Sequence, residues 1–147
     1  PGDCFEIIQD AWLLATQLMC PVVVLSDGYI ANGSEPWAIP NVAELKPIKV
    51  EHPGPKTTDG PFLPYARNEL LARPWAIPGT EGLMHRVGGL EKEDGTGNIS
   101  YDPDNHQKMV NLRAQKVANA SKLLPPQQVA GPQSGELLVL SWGGTHG

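Results

Sequence analysis

Residues 3–29 read DCFEIIQDAWLLATQLMCPVVVLSDGY, and this stretch decides the fold. Asp3 and Glu6 have the D-x-x-E spacing of a capping box, directly after Pro1-Gly2. Phe5, Ile8, Trp12, Ala15 and Met19 follow at steps of three and four, which puts them on one face of a helix. The spacing predicts a helix over about residues 4–19, stopped ahead of Pro21. Burying Phe5, Ile8, Trp12 and Met19 would contribute at most roughly 6–12 kcal/mol, so this face needs a surface to pack on. Pro21-Val22-Val23-Val24-Leu25-Ser26 comes next, β-branched and continuously apolar. A strand buried on both faces of a parallel sheet has this pattern. Ser26-Asp27-Gly28-Tyr29 ends it, and helix, proline turn and buried strand together make the second half of a βαβ unit.

The far end of the chain repeats the theme. Leu137-Leu138-Val139-Leu140-Ser141-Trp142 is again a strand of the buried type, followed by Gly143-Gly144-Thr145-His146-Gly147. The sequence thus opens on a helix with no strand before it and closes on a strand with no helix after it, whereas a parallel strand needs a crossover helix and neighbours. The expectation is a piece of a larger α/β protein: the tail of one domain, a linker, and the first strand of the next. Residues 1–82, 83–135 and 136–147 are the corresponding divisions.

Between these ends the order is looser. Prolines at 36, 40, 47, 53, 55, 61, 64, 74 and 78 forbid long helices and central strands, with a short strand expected at Lys46–Glu51. Pro-Trp-Ala-Ile-Pro occurs at 36–40 and again at 74–78, in unmatched surroundings. Each Trp-Ile pair is expected to anchor an extended loop by apolar contact. Residues 83–102 read as a hairpin or irregular loop, with Glu91-Lys92-Glu93-Asp94-Gly95 as a solvated turn. Asp102-Pro103 starts a helix by the N-cap and N1 rules. That helix runs to about Lys122 with a weak apolar stripe through Met109 and with Lys108, Arg113, Lys116 and Lys122 making it basic. Pro125-Pro126 stops it, and Gln127 to Gly135 reads as a linker.

Composition narrows the function classes. The chain has 147 residues, a net charge of -5, sixteen glycines and fifteen prolines. Gly and Pro at about a fifth of the residues exclude an all-helical bundle. The acidic balance argues against nucleic acid as a partner, since phosphate binding needs a basic stripe. No apolar run is long enough for a membrane span, and the first residues do not read as a signal peptide. Cys4 and Cys20 would stand about 24 Å apart along one helix. That is too far for a disulfide, and such usage fits a reducing, cytoplasmic compartment.

Chemistry-bearing motifs are sparse. His52, His85, His106 and His146 lack metal-ligand spacing, so no metal site is expected. Ser26 and Ser141 are not in a G-x-S-x-G elbow. The terminal glycines 143–147 invite a phosphate cradle but lack G-x-G-x-x-G spacing and a P-loop lysine. Asp27 stands just past the carboxyl end of a buried-type strand, where α/β sheets gather ligands; it either serves a site or caps the next turn. From composition and spacing alone the chain is a cytosolic α/β piece with no autonomous active site.

Several strings, in order, resemble the α subunit of 2-oxoacid:ferredoxin oxidoreductases, most closely the 2-oxoglutarate type. Pro1-Gly2-Asp3-Cys4-Phe5-Glu6 and Cys20-Pro21-Val22-Val23-Val24-Leu25-Ser26-Asp27-Gly28-Tyr29 resemble the end of its pyrimidine-binding domain. Arg73-Pro74-Trp75-Ala76-Ile77-Pro78-Gly79 resembles its Pro-Gly segment. Gly88-Gly89-Leu90-Glu91-Lys92-Glu93-Asp94-Gly95 resembles its acidic-glycine loop, although Lys and Glu replace the His and Glu usual there. Asn105-His106-Gln107-Lys108-Met109 with Arg113 and Lys116 resembles the following basic helix. Leu138-Val139-Leu140-Ser141-Trp142-Gly143-Gly144-Thr145 resembles the opening of a transketolase-C-like domain. The resemblance implies part of a three-layer α/β, thiamine-enzyme-like fold with a long Pro/Gly-rich irregular segment. It also implies an oxidoreductase that uses thiamine diphosphate with Mg²⁺, forms an acyl-CoA and passes electrons to ferredoxin. The diphosphate, its Mg²⁺ and an iron–sulfur cluster would be held by the partner β subunit, with none bound by this chain alone. The family's cofactor and substrate residues lie in a Tyr-Pro-Ile-Thr-Pro segment, in an acidic residue facing the aminopyrimidine, and in an Arg before a Gly-Pro-Ser-Thr-Gly loop. None of these is present, so no catalytic residue is carried over, and Asp27 and Tyr29 are left as residues that would edge the site. Two rival readings are a freestanding interaction module and a nucleotide-binding half-domain using the terminal glycines.

Overall fold

Helix α1 spans Asp3–Leu18, close to the predicted range. Its start departs from the capping-box expectation in the computed structural model, which describes residues 1–56 and 59–145. Gly2 is the N-cap, Asp3 is already helical, and no side chain caps the turn. Asp3 therefore acts only as a negative charge in the first turn, favourable to the helix dipole. The Glu35 carboxylate accepts from the Gly2 N–H. At the other end Met19 takes a left-handed conformation (φ 48°), and the N–H groups of Met19 and Cys20 both reach the Ala15 carbonyl. Pro21 cannot extend the helix.

The face of α1 that the chain covers is not the predicted stripe. Leu18 is buried, while Ile8 and Trp12 are 57% and 60% exposed. Periodicity aligns a stripe but does not say which side neighbouring segments will reach. Here the Trp75 indole N–H donates to the Thr16 carbonyl at 2.7 Å, and Gln17 Nε2 donates to the Lys49 carbonyl at 2.8 Å. The expected strand at Lys46–Glu51 is accordingly an unpaired segment held by a side chain of α1. Both Pro-Trp-Ala-Ile-Pro copies dock on this helix, at opposite ends: the Trp37 and Phe5 rings lie 5.4 Å apart at its start, and Trp75 binds near its end. The anchors are the tryptophans and not Trp-Ile pairs, for Ile39 is 85% exposed. An indole offers both a large apolar face and a polar N–H, which an isoleucine lacks.

Residues 21–26 and 137–142 pair with nothing among the described residues. Leu25 is 90% exposed, and Leu140 and Trp142 lie equally open. The burial expected for both segments is not supplied by the described residues. A short α2, Gly28–Asn32, follows the first segment, and a 3₁₀ turn at Gly143–Thr145 follows the second.

The packed part lies elsewhere. Leu18, Ala72, Leu83 and Met109 form the small apolar core, and Pro64 is also fully buried. Helix α3, Pro103–Asn119, begins as the sequence predicts: Asp102 is the N-cap, its carboxylate accepting from Asp104 N–H at 3.0 Å. The covered side of α3 runs through Asn105, Met109, Leu112, Lys116 and Asn119, one residue per turn. A 3₁₀ turn at Ala120–Lys122 ends it. Before α3 the chain makes an abbreviated hairpin, with Glu93 N–H to the Asn98 carbonyl at 2.7 Å and Ser100 N–H to that of Glu91 at 3.1 Å. Gly97 turns it in the left-handed region (φ 71°), and a Cβ there would stand 2.9 Å from Pro64 Cγ.

Replacing Trp75 by Phe removes one hydrogen bond while keeping the ring, and is expected to cost about 1 kcal/mol. Ile39→Ser, at an exposed site in the other copy, should change stability by less than about 0.5 kcal/mol. Denaturant titration followed by helical circular dichroism distinguishes the two.

Candidate functional site

The charged run Glu91-Lys92-Glu93-Asp94 is not the solvated turn the sequence suggests. Lys92 is 5% exposed, and its ammonium donates to the carbonyls of Gly88 at 2.8 Å and Leu90 at 2.5 Å. Glu91 meets His106 Nδ1 at 2.5 Å and Arg113 Nη1 at 3.3 Å, both from α3. Asp94 pairs with Arg67 at 2.5 Å and Lys108 at 2.6 Å. Between these pairs Asn105 bonds to the hairpin backbone twice, Nδ2 donating to the Lys92 carbonyl at 2.8 Å and Oδ1 accepting from the Asp94 N–H at 3.1 Å. Glu91 and Asp94 meet cations of α3 and Arg67, and Lys92 is buried, while Glu93 stays exposed. The Arg113 guanidinium, and after it His106, hold the Glu91 carboxyl down at about 2. Lys108 lowers Asp94 likewise, with Arg67 adding to it.

Beside this hairpin lies a cleft of about 520 Å³. Met19, Tyr65, Arg67 and Arg73 form one wall, Gly88 to Lys92 a second, and Met109, Leu112, Arg113 and Lys116 of α3 the third. Five of these residues are cationic and Glu91 is the single acid. The Tyr65 ring carries two guanidinium groups, Arg73 at 4.5 Å and Arg67 at 5.3 Å from its centre, in cation–π contact. Burial depresses the Lys116 pKa, the charges of Arg67, Arg73 and Arg113 push the same way, and Cys20 opposes them. Such a concave, positively charged, partly apolar surface is suited to holding an anion.

The sequence-derived candidates lie elsewhere. Asp27 caps α2, Oδ1 accepting from Ile30 N–H at 2.7 Å, and Oδ2 accepts from Gly144 N–H. These backbone donors lower its pKa, Ile30 most. Tyr29 is exposed next to it and stands against Gly144. The terminal glycines are thus no open phosphate cradle: the chain's own carboxylate occupies the Gly144 donor, and His146 and Gly147 lie outside the described residues. His52 and His85 contact the carbonyls of Trp75 and Leu83, at 2.9 and 2.8 Å. Cys4 and Cys20 are free thiols. No group of three or more His, Cys, Asp or Glu among the described residues is placed to hold a metal. The two cysteines are fewer than the four thiolates that hold an iron–sulfur cluster. Arg113 and Lys116 were visible in the basic helix. Arg67, Arg73 and Tyr65 carried no local signal, being scattered through a proline-rich stretch.

Comparison with known proteins gives one consistent result. The chain is 50% identical, over 149 aligned residues, to the 2-oxoglutarate oxidoreductase subunit KorA of Mycobacterium tuberculosis; the match covers all of this chain and 22% of that protein. It is 26% identical to the 2-oxoglutarate synthase subunit KorA of Methanothermobacter marburgensis, over 96% of this chain and 36% of that protein. A third relative, from Methanothermobacter thermautotrophicus, has the same name at 23% identity. The chain spans about a fifth to a third of the length of these curated relatives. The resemblance drawn from the ordered strings is borne out. No protein-family profile matches the chain, and no solved structure matches it.

The ion pairs set an acid dependence. With an ordinary value of 4.5 and a folded value of about 2, Glu91 contributes fully above about pH 4.5, and its contribution is lost as the pH falls through about 2. Hydrogen-exchange protection of α3 should decline across that window. Glu91→Gln should flatten the decline, leaving the part due to Asp94.

Proposed function

We propose that this chain, a relative of the KorA subunits along its whole length, forms part of the α subunit of a 2-oxoacid:ferredoxin oxidoreductase of the 2-oxoglutarate type. The observation that carries this reading is 50% identity maintained over the entire chain. The enzyme converts the 2-oxoacid and CoA to an acyl-CoA and CO₂, and two electrons leave through iron–sulfur clusters to ferredoxin. Thiamine diphosphate, when bound, supplies the carbon chemistry. That cofactor, its Mg²⁺ and a cluster belong, in this reading, to surfaces the β subunit provides.

The role of this chain's own residues is structural and positional. The two exposed apolar segments, 21–26 and 137–142, become strands of layered α/β sheets completed by the rest of the subunit. Their exposure supports this assignment, since burying such segments is strongly favourable. Asp27 and Tyr29 then sit at the carboxyl edge of the first strand, beside the site without entering its chemistry. The hairpin and α3 form one ion-paired unit between the two sheet segments. No described helix is long and apolar enough to cross a membrane, and the reading places the enzyme in the cytoplasm.

The test is an assay of the polypeptide as its gene encodes it, together with its partner subunit. With 2-oxoglutarate, CoA, thiamine diphosphate and a viologen acceptor, CoA-dependent dye reduction is expected. The 147 residues alone should give none. Absence of reduction with 2-oxoglutarate in the assembled protein, or turnover by the isolated chain, overturns the reading.

A further inference from the structure

We propose that the cleft between Tyr65, the Gly88–Gly89 turn and α3 binds the phosphate group of a small molecule, with Arg73 and Lys116 as its principal partners. The inference rests on the cleft alone and not on the KorA reading. Its first support is an imbalance of charge. Every other cation of the walls is engaged: Lys92 by two carbonyls, Arg113 by Glu91, Arg67 by Asp94. Arg73 and Lys116 have no carboxylate within ion-pair distance among the described residues. Glu91, the one acid lining the cleft, is already shared by Arg113 and His106.

A second support is the Arg73 Nε, which is buried and has no hydrogen-bond partner. A buried donor left unpaired is costly, and it calls for a partner such as an ordered water or an ion. Tyr65 holds the guanidinium from one side by cation–π contact, fixing its plane while leaving its donors unspent. Gly88 and Gly89 add bare backbone, with open space where a side chain would stand. The cleft's volume, about 520 Å³, lies in the range of small-molecule sites. A phosphate monoester carries about −1.5 to −2 charge near neutral pH, which matches two unpaired cations better than a single carboxylate does. Planar Arg and compact Lys are the usual pair for such a group. The Lys116 pKa is depressed first by burial and then by the like charges of Arg67, Arg73 and Arg113, as for a cation held away from water with no anion beside it.

Site-resolved chemical labelling tests this in the polypeptide as its gene encodes it. Arginines are labelled with phenylglyoxal and lysines with an amine-acylating reagent, and peptides are quantified by mass spectrometry. Inorganic phosphate and pyrophosphate serve as probes, glutarate as a dicarboxylate, and sodium chloride at matched ionic strength as the screening control. The expected result is saturable protection of Arg73 and Lys116 by phosphate or pyrophosphate, at least fivefold, with exposed Arg86 and Lys122 unchanged. In Arg73→Met the protection of Lys116 should vanish, and Arg73→Lys should restore part of it. Equal protection by glutarate overturns the phosphate assignment in favour of a carboxylate. Equal protection by chloride, no protection, or failure of either residue to react in the unliganded protein overturns the site altogether.

Discussion

The side chain of Asn105 is the contact on which the ordered part of this chain depends. It donates to the Lys92 carbonyl and accepts from the Asp94 N–H, so one residue on α3 satisfies two backbone groups of a hairpin too short to pair its own. The same device recurs. Asn68 accepts from the N–H groups of Leu70 and Ala72, Lys92 caps two carbonyls, and Trp75 ties a loop to α1. A backbone so rich in proline cannot run long ladders, because each proline removes a donor. Side chains therefore supply the partners that neighbouring strands would otherwise provide.

What could be read from the sequence was what local chemistry determines. The span of α1 and the Asp102-Pro103 start of α3 both follow from residues within a few positions. The covered side of α1 did not, because it is set by Lys49 and Trp75, 32 and 59 residues away from their partners. The acidic run departs from its local pattern for a related reason. Viewed alone it is a solvated turn; its burial appears only when Arg67, Lys108 and Arg113 arrive from two other segments. The cleft was least legible, since Tyr65 and Arg73 acquire meaning only through their stacking.

Order in the molecule is unevenly distributed, and so is the polarity of its surface. The hairpin, α3 and the Pro64–Arg73 loop carry most of the ion pairs among the described residues, and Ala72 and Met109 from them join Leu18 of α1 and Leu83 as the buried apolar residues. Residues 21–26 and 137–142 have neither, and present aliphatic side chains to solvent. The stable unit thus makes its own contacts by charge and hydrogen bonding and leaves its hydrophobic potential outward. Such an arrangement suits a segment that joins other parts of a larger assembly more than one that closes on itself.

The Asp27–Gly144 contact joins residues 117 positions apart, and each lies just beyond one of the bare aliphatic segments. The two segments consequently arrive at a common point by their trailing ends. A carboxylate that caps a five-residue helix thereby also ties together two distant stretches of chain.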